Sequence, residues 1–140
     1  EVANAFTGLT ISTFGGSPIT MSATEATMDV MVREDTPRRS AERGKQLREK
    51  LLEFKDKYPI IGDVRGMGLM QGIEIVEDRK TKAPGPKLAT KLLEMAKKHG
   101  LLIGKGGLYG NVIRMAPSML ISKAELDDAM RRLDKALAET

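Results

Sequence analysis

Apolar residues recur along this chain with two different periods, and the switch between them divides it into elements. The longest strand-like stretch is Ile61–Val76, I-G-D-V-R-G-M-G-L-M-Q-G-I-E-I-V, which places Val64, Leu69, Met70, Ile73, Ile75 and Val76 among small or polar neighbours. It reads as one strand, long enough to be the spine of a sheet. Gly66, Gly68 and Gly72 remove side chains from it, so they mark a bulge, a bend or the close approach of another backbone. Leu101–Ile103 and Asn111–Ala116 read as two shorter strands, and Gly104–Gly110 (G-K-G-G-L-Y-G) between them is a glycine-rich connection of hairpin length.

The helical period appears four times. From Pro18 to about Val32, Ile19, Ala23, Ala26 and Val30 share one face. Thr36-Pro37 reads as a cap and a first-turn proline, opening a helix that runs to about Lys57 with Leu47, Leu51, Phe54 and Tyr58 inward. A third helix covers Pro86–His99, with Leu88, Leu92, Met95 and Ala96 inward and Gly100 placed for a left-handed C-terminal residue. Ser122-Lys123-Ala124-Glu125 fits a capping box, after which Leu126, Ala129, Met130, Leu133, Ala136 and Leu137 keep the helical period.

These elements predict an α+β fold. A right-handed strand–helix–strand crossover, followed by a hairpin, gives a small three-stranded antiparallel sheet in the order first, third, second. The long helix and the terminal helix are expected to cover its inner face. Glu1–Thr20 fits no period, yet Phe6, Leu9, Ile11 and Phe14 are apolar enough to require burial, so this strip is expected to pack on an upstream domain or a second subunit. The expected division is residues 1–35 as interface strip and linking helix, and 36–140 as the domain proper.

Composition narrows the chemistry. The 140 residues are 41% hydrophobic and only 4% aromatic, so aliphatic residues and nine methionines must fill the core. There is no cysteine and one histidine, which removes disulfides and thiolate metal sites and argues against a protein-only zinc site. No apolar run reaches the roughly 20 residues of a membrane span, and the expectation is a cytoplasmic protein with no membrane partner. The net charge of +4 is spread among interleaved acidic residues, and no basic stripe carries aromatics, so no nucleic-acid partner is expected. Neither Gly66-Met67-Gly68 nor the 104–110 loop leads into a helix, as a phosphate-binding glycine loop requires. His99 falls in the last turn of its helix, where a cation is mildly favoured, and no nucleophile can be paired with it.

Arg114 is the residue that folding does not readily explain. It stands between Ile113 and Met115 on the expected central strand and therefore points to the opposite face. Solvent exposure is one account of it. The other is that a planar guanidinium on a rigid strand forms a fixed, two-pronged receptor for a carboxylate.

Three blocks, Ser12-Thr13-Phe14-Gly15-Gly16-Ser17-Pro18, Gly62–Met70 and Asn111-Val112-Ile113-Arg114-Met115-Ala116-Pro117, resemble in order and spacing successive motifs of the class III pyridoxal-phosphate-dependent aminotransferases. The resemblance spans the chain as the C-terminal third of such an enzyme, in the branch of the 4-aminobutyrate, ornithine and alanine–glyoxylate aminotransferases. It implies a fold-type I small domain acting within a homodimer on amino-acid or omega-amino-acid and 2-oxo-acid substrates, with pyridoxal 5′-phosphate as cofactor. It further implies that Thr13, with Ser12 beside it, contacts the cofactor phosphate of the other subunit, and that Arg114 holds the substrate carboxylate. Position 17 is Ser where many members have Asn. The family's cofactor-binding lysine belongs to an upstream motif that no lysine here matches, so the 140 residues alone are expected to be inactive and to carry no catalytic residue or metal. A different class remains open at this point, a free-standing α+β binding or interaction module with structural glycines.

Overall fold

A computed structural model describes residues 5, 7–9 and 11–140. The chain divides into two compact units, Glu1–Asp35 and Thr36–Thr140. The first contains α1 (Pro18–Arg33), whose N-cap Ser17 accepts a hydrogen bond from the Thr20 amide at 3.3 Å. Asn and Ser are equivalent caps, so the serine at position 17 costs this helix nothing. No residue of α1 is buried, and Leu9, Ile11 and Phe14 before it are exposed. The stripe through Ile19 finds no second layer among the described residues of its own unit. Phe6 lies outside the described residues.

In the second unit the sequence order is α2 (Thr36–Lys57), β1 (Ile61–Met67), β2 (Met70–Asp78), β3 (Ala83–Pro84), α3 (Pro86–Lys98), β4 (Gly104–Gly106), β5 (Val112–Met115) and α4 (Lys123–Ala138). The sheet runs β1-β2-β5-β4, antiparallel throughout, and β3 pairs with the far end of β2. The expected order of spine, third and second strand therefore holds as β2-β5-β4. Two strands are added to it.

The added β1 corrects the reading of Ile61–Val76 as a single strand. The chain reverses between Met67 and Met70, which pair across the turn, and Gly68 takes a φ of +52° there. A left-handed backbone suits glycine, so the glycines mark a hairpin as well as a close approach. That approach is real: a Cβ on Gly44 of α2 would lie 2.2 Å from the Gly68 carbonyl carbon. The second strand also shifts. Leu101–Ile103 joins no strand pairing, and the pairing falls on Gly104–Gly106, inside the expected loop.

The core lies on one side of the sheet. Ile73 and Ile75 of β2, Ile113 of β5 and Val64 of β1 meet Leu47, Leu51 and Phe54 of α2, Ala89, Leu92 and Ala96 of α3, and Leu126, Met130, Leu133 and Leu137 of α4. Each fully buried Leu or Ile contributes roughly 1.5–3 kcal/mol. Only α2 and α3 lie directly along the strands, while α4 packs across those two helices, a departure from the expected pairing of long and terminal helix. The terminal helix does begin with the capping box, since the Ser122 hydroxyl accepts from the Glu125 amide and the Glu125 carboxylate accepts from the Ser122 amide. The Thr36 hydroxyl, expected to cap α2, is instead buried without a hydrogen-bond partner. Arg79, in a loop the sequence marks only as charged, donates to the carbonyls of Tyr58 and Lys55 at the end of α2 and to Ile61 at the start of β1. It ties off orphan carbonyls that helix ends leave.

Candidate functional site

Side chains alternate across the strands, so the register identifies every residue on the face away from the helices. Arg114 of β5 stands opposite Gly72 of β2 on one side and Gly104 of β4 on the other. Beyond Gly72, in the same row, is Arg65 of β1. The next row holds Asp63, Glu74, Val112 and Gly106. Arg114 is exposed, and its guanidinium forms no salt bridge among the described residues. The strand neighbours Ile113 and Met115 are buried on the helix side, which fixes the direction of Arg114.

The glycines around Arg114 are not demanded by the backbone. A Cβ on Gly72 would touch the Val112 side chain at 3.4 Å, one on Gly104 would lie 3.7 Å from the Arg114 carbonyl oxygen, and one on Gly106 would meet nothing within 4 Å. None of the three needs a left-handed φ. Arg114 thus rises from a floor without side chains on either flank. Its own strand end borders a groove of about 370 Å³ lined by Ile103, Met115, Pro117, Leu126 and Met130. The guanidinium itself stands on the opposite, open face, where a planar cation can take a carboxylate.

Arg65 differs from Arg114. Its guanidinium reaches Glu74 at 2.5 Å and Asp63 at 3.1 Å, and Lys55 stands 3.8 Å from Asp63. The hydrogen bond to Glu74, then that to Asp63, raises the Arg65 pKa above its ordinary value. Burial pushes the Asp63 carboxyl up, but the Arg65 and Val64 hydrogen bonds outweigh it and hold the group below its usual range. This cluster was not legible before the register was known. The polar positions of two alternating strands were its only signal.

Ser12 and Thr13 belong to the first unit, in the turn leading into α1. The Ser12 hydroxyl accepts from the Gly15 amide at 3.0 Å, the Phe14 carbonyl accepts from the Thr20 hydroxyl at 2.9 Å, and Gly16 has a φ of +75°. The turn is therefore anchored to the helix start. Thr13 is exposed and its hydroxyl makes no side-chain hydrogen bond among the described residues, while the Ser12 hydroxyl keeps its hydrogen to donate. Two hydroxyl donors beside a helix N-terminus suit an anion such as phosphate. His99 is bound instead to Glu139, Nε2 to Oε1 at 2.8 Å, near the end of the chain. Among the described residues no group of acidic, cysteine or histidine side chains is placed to hold a metal, and no helix is long and apolar enough to cross a membrane.

The sequence matches the family described as aminotransferase class-III over residues 1–137. The chain belongs to that family. Among its relatives, the alanine–glyoxylate aminotransferase 2 homolog 2 of Arabidopsis thaliana is 38% identical over 99% of this chain and 29% of its own length. An isoleucine 2-epimerase of Lentilactobacillus buchneri is 40% identical over 89% of this chain and 27% of its own. In three dimensions the chain is similar to a Bacillus anthracis aminotransferase, with a TM-score of 0.87 and 32% identity, covering 98% of this chain and 33% of the other. The chain thus spans about a third or less of the length of these proteins.

Proposed function

We propose that this chain forms the C-terminal part of a pyridoxal 5′-phosphate-dependent transaminase, in which residues 36–140 make the small domain and Arg114 receives the substrate carboxylate. The observation that carries this reading is an exposed guanidinium without a salt-bridge partner, held on a central strand between Gly72 and Gly104 in a chain of this family. The pyridine ring of the cofactor supplies the electron sink for amino-group transfer when it is bound. The protein's part is positioning. Arg114 orients an amino acid or omega-amino acid, and the 2-oxo acid that replaces it, by two parallel hydrogen bonds to the carboxylate. The Thr13 hydroxyl, with Ser12, donates to the cofactor phosphate bound by the neighbouring subunit of a homodimer. No lysine of these residues stands in the family's cofactor-lysine motif, so this reading assigns that role to a lysine outside them.

The test uses the full-length protein. Arg114→Ala should lower kcat/KM for a carboxylate-bearing amino substrate by roughly 30-fold to several-thousand-fold, as expected for losing about 2–5 kcal/mol of a desolvated charge pair. The decarboxylated amine should be affected far less. Arg114→Lys should recover only part, since an ammonium lacks the paired donors. Equal losses on both substrates would make Arg114 structural.

The similarity to an isoleucine 2-epimerase favours a second reading, inversion at the amino-bearing carbon without net transfer. Product analysis separates the two. Amino-group transfer consumes a 2-oxo acid in proportion to product, whereas inversion proceeds without added 2-oxo acid.

A further inference from the structure

Glu74 faces two arginines in equivalent positions. It pairs with Asp63 on β1 and with Val112 on β5, so Arg65 and Arg114 are each two residues beyond its partner, one on either neighbouring strand. Such diagonal neighbours stand ~7–8 Å apart, within reach of long side chains. Glu74 and Arg114 lie in adjacent rows, and of the two residues on the other diagonal between them Gly72 has no side chain and Val112 has a short one that leans towards Gly72. A glutamate side chain passing over that one valine is long enough to reach its diagonal neighbour and neutralise Arg114. In the structure it turns the other way, to Arg65 at 2.5 Å, and Arg65 is also held by Asp63.

We propose that Arg65 is a positioning residue that keeps Arg114 available to substrate by holding Glu74 on the β1 side of the sheet. The inference rests on the reading of Arg114 as the carboxylate receptor. Glu74 is a carboxylate tethered one strand away, and without Arg65 it is an intramolecular competitor at high effective concentration. Arg65 has a plain structural duty too, since Asp63 and Glu74 are like charges directly opposite one another. The two roles make different predictions. A structural loss, which deleting Glu74's charge would also relieve, follows every substrate, whereas a competing Glu74 affects carboxylate ligands alone.

The experiment measures the inhibition constant of propionate, a carboxylate without an amine, and the turnover of propylamine, an amine without a carboxylate, in the full-length cofactor-loaded enzyme. Arg65→Ala should weaken propionate by roughly 3- to 10-fold and leave propylamine turnover within about twofold. Adding Glu74→Gln should restore propionate to near the wild-type value. Arg65→Lys, which keeps a cation for Glu74, should stay close to wild type, and Arg65→Gln stands in if the alanine variant does not fold. Failure of Glu74→Gln to rescue, or a parallel loss on propylamine, overturns the proposal. Arg114→Ala distinguishes the underlying reading: if it leaves propionate inhibition unchanged, the carboxylate receptor itself is misplaced and both ideas fall. If it abolishes inhibition while the double variant shows no rescue, only the role of Arg65 falls.

Discussion

Gly72 stands directly opposite Arg114 on adjacent antiparallel strands, so the guanidinium has no side chain between it and β1 on that flank. A side chain can start from position 72 without a backbone clash, because a Cβ there would be in ordinary contact with Val112, and β-branched residues favour strands. Gly72→Val should leave Tm unchanged or slightly higher, yet raise KM for a carboxylate substrate by about tenfold, the scale on which a pocket senses one or two methyl groups. Unchanged KM would show that substrate approaches from the β4 side.

The contact between Gly44 and Gly68 sets two effects against each other. Alanine is better than glycine inside a helix by about 1 kcal/mol, which predicts that Gly44→Ala stabilises. The new methyl would stand 2.2 Å from backbone carbon in the hairpin turn, which cannot swing away as a flexible side chain could. Overpacking of this kind typically costs about 1–3 kcal/mol, so the expected sign is destabilising. Urea denaturation decides it, and a higher midpoint for the alanine variant would refute the close packing.

Thr36 offers the opposite case. Its buried hydroxyl has no hydrogen-bond partner, so Thr36→Val removes a desolvated polar atom at nearly constant volume. A gain of about 1 kcal/mol is expected, a few degrees in Tm.

Asp134 on α4 joins the end of α2 through Lys57 Nζ at 2.8 Å and Tyr58 Oη at 2.7 Å. Burial pushes its carboxyl up, but the hydrogen bonds from Lys57 and Tyr58 outweigh that and hold it below the ordinary value. A depressed folded-state pKa means stability present above the unfolded carboxylate range and lost as pH falls through the folded value. Wild type should therefore be more stable than Asp134→Asn at neutral pH, with the two melting temperatures converging as the pH falls below the ordinary aspartate range. A gap that persists in acid would show that the carboxylate charge is not what links the helices.

Helices were more legible in the sequence than strands, for a physical reason. The stripe Leu47, Leu51, Phe54 is set by one helix's own period, and the capping box at Ser122 is local, so neither depends on distant partners. The hairpin in Ile61–Val76 was missed because Gly68 and Leu69 sit between apolar residues that continue the strand pattern, and the reversal depends on a positive φ that composition does not display. The paired part of the second strand was displaced because Gly104 and Gly106 carry no side chains to give a period. At the candidate site, Arg114 could be singled out by alternation alone. Glu74 and Arg65 could not, since their significance arises only when the register sets both beside Gly72.

The one-sided core has a consequence for how this domain tolerates change. Along β5, Ile113 and Met115 are locked into the packed layer, whereas Arg114 and the glycines beside it touch almost nothing. Substitutions in the first set are felt as lost cohesion, and those in the second change the exposed face and leave the packing alone. Within Thr36–Thr140, on the proposed role of Arg114, ligand preference can therefore drift one residue at a time, through positions 72, 104, 106 and 114, while the scaffold beneath stays as it is.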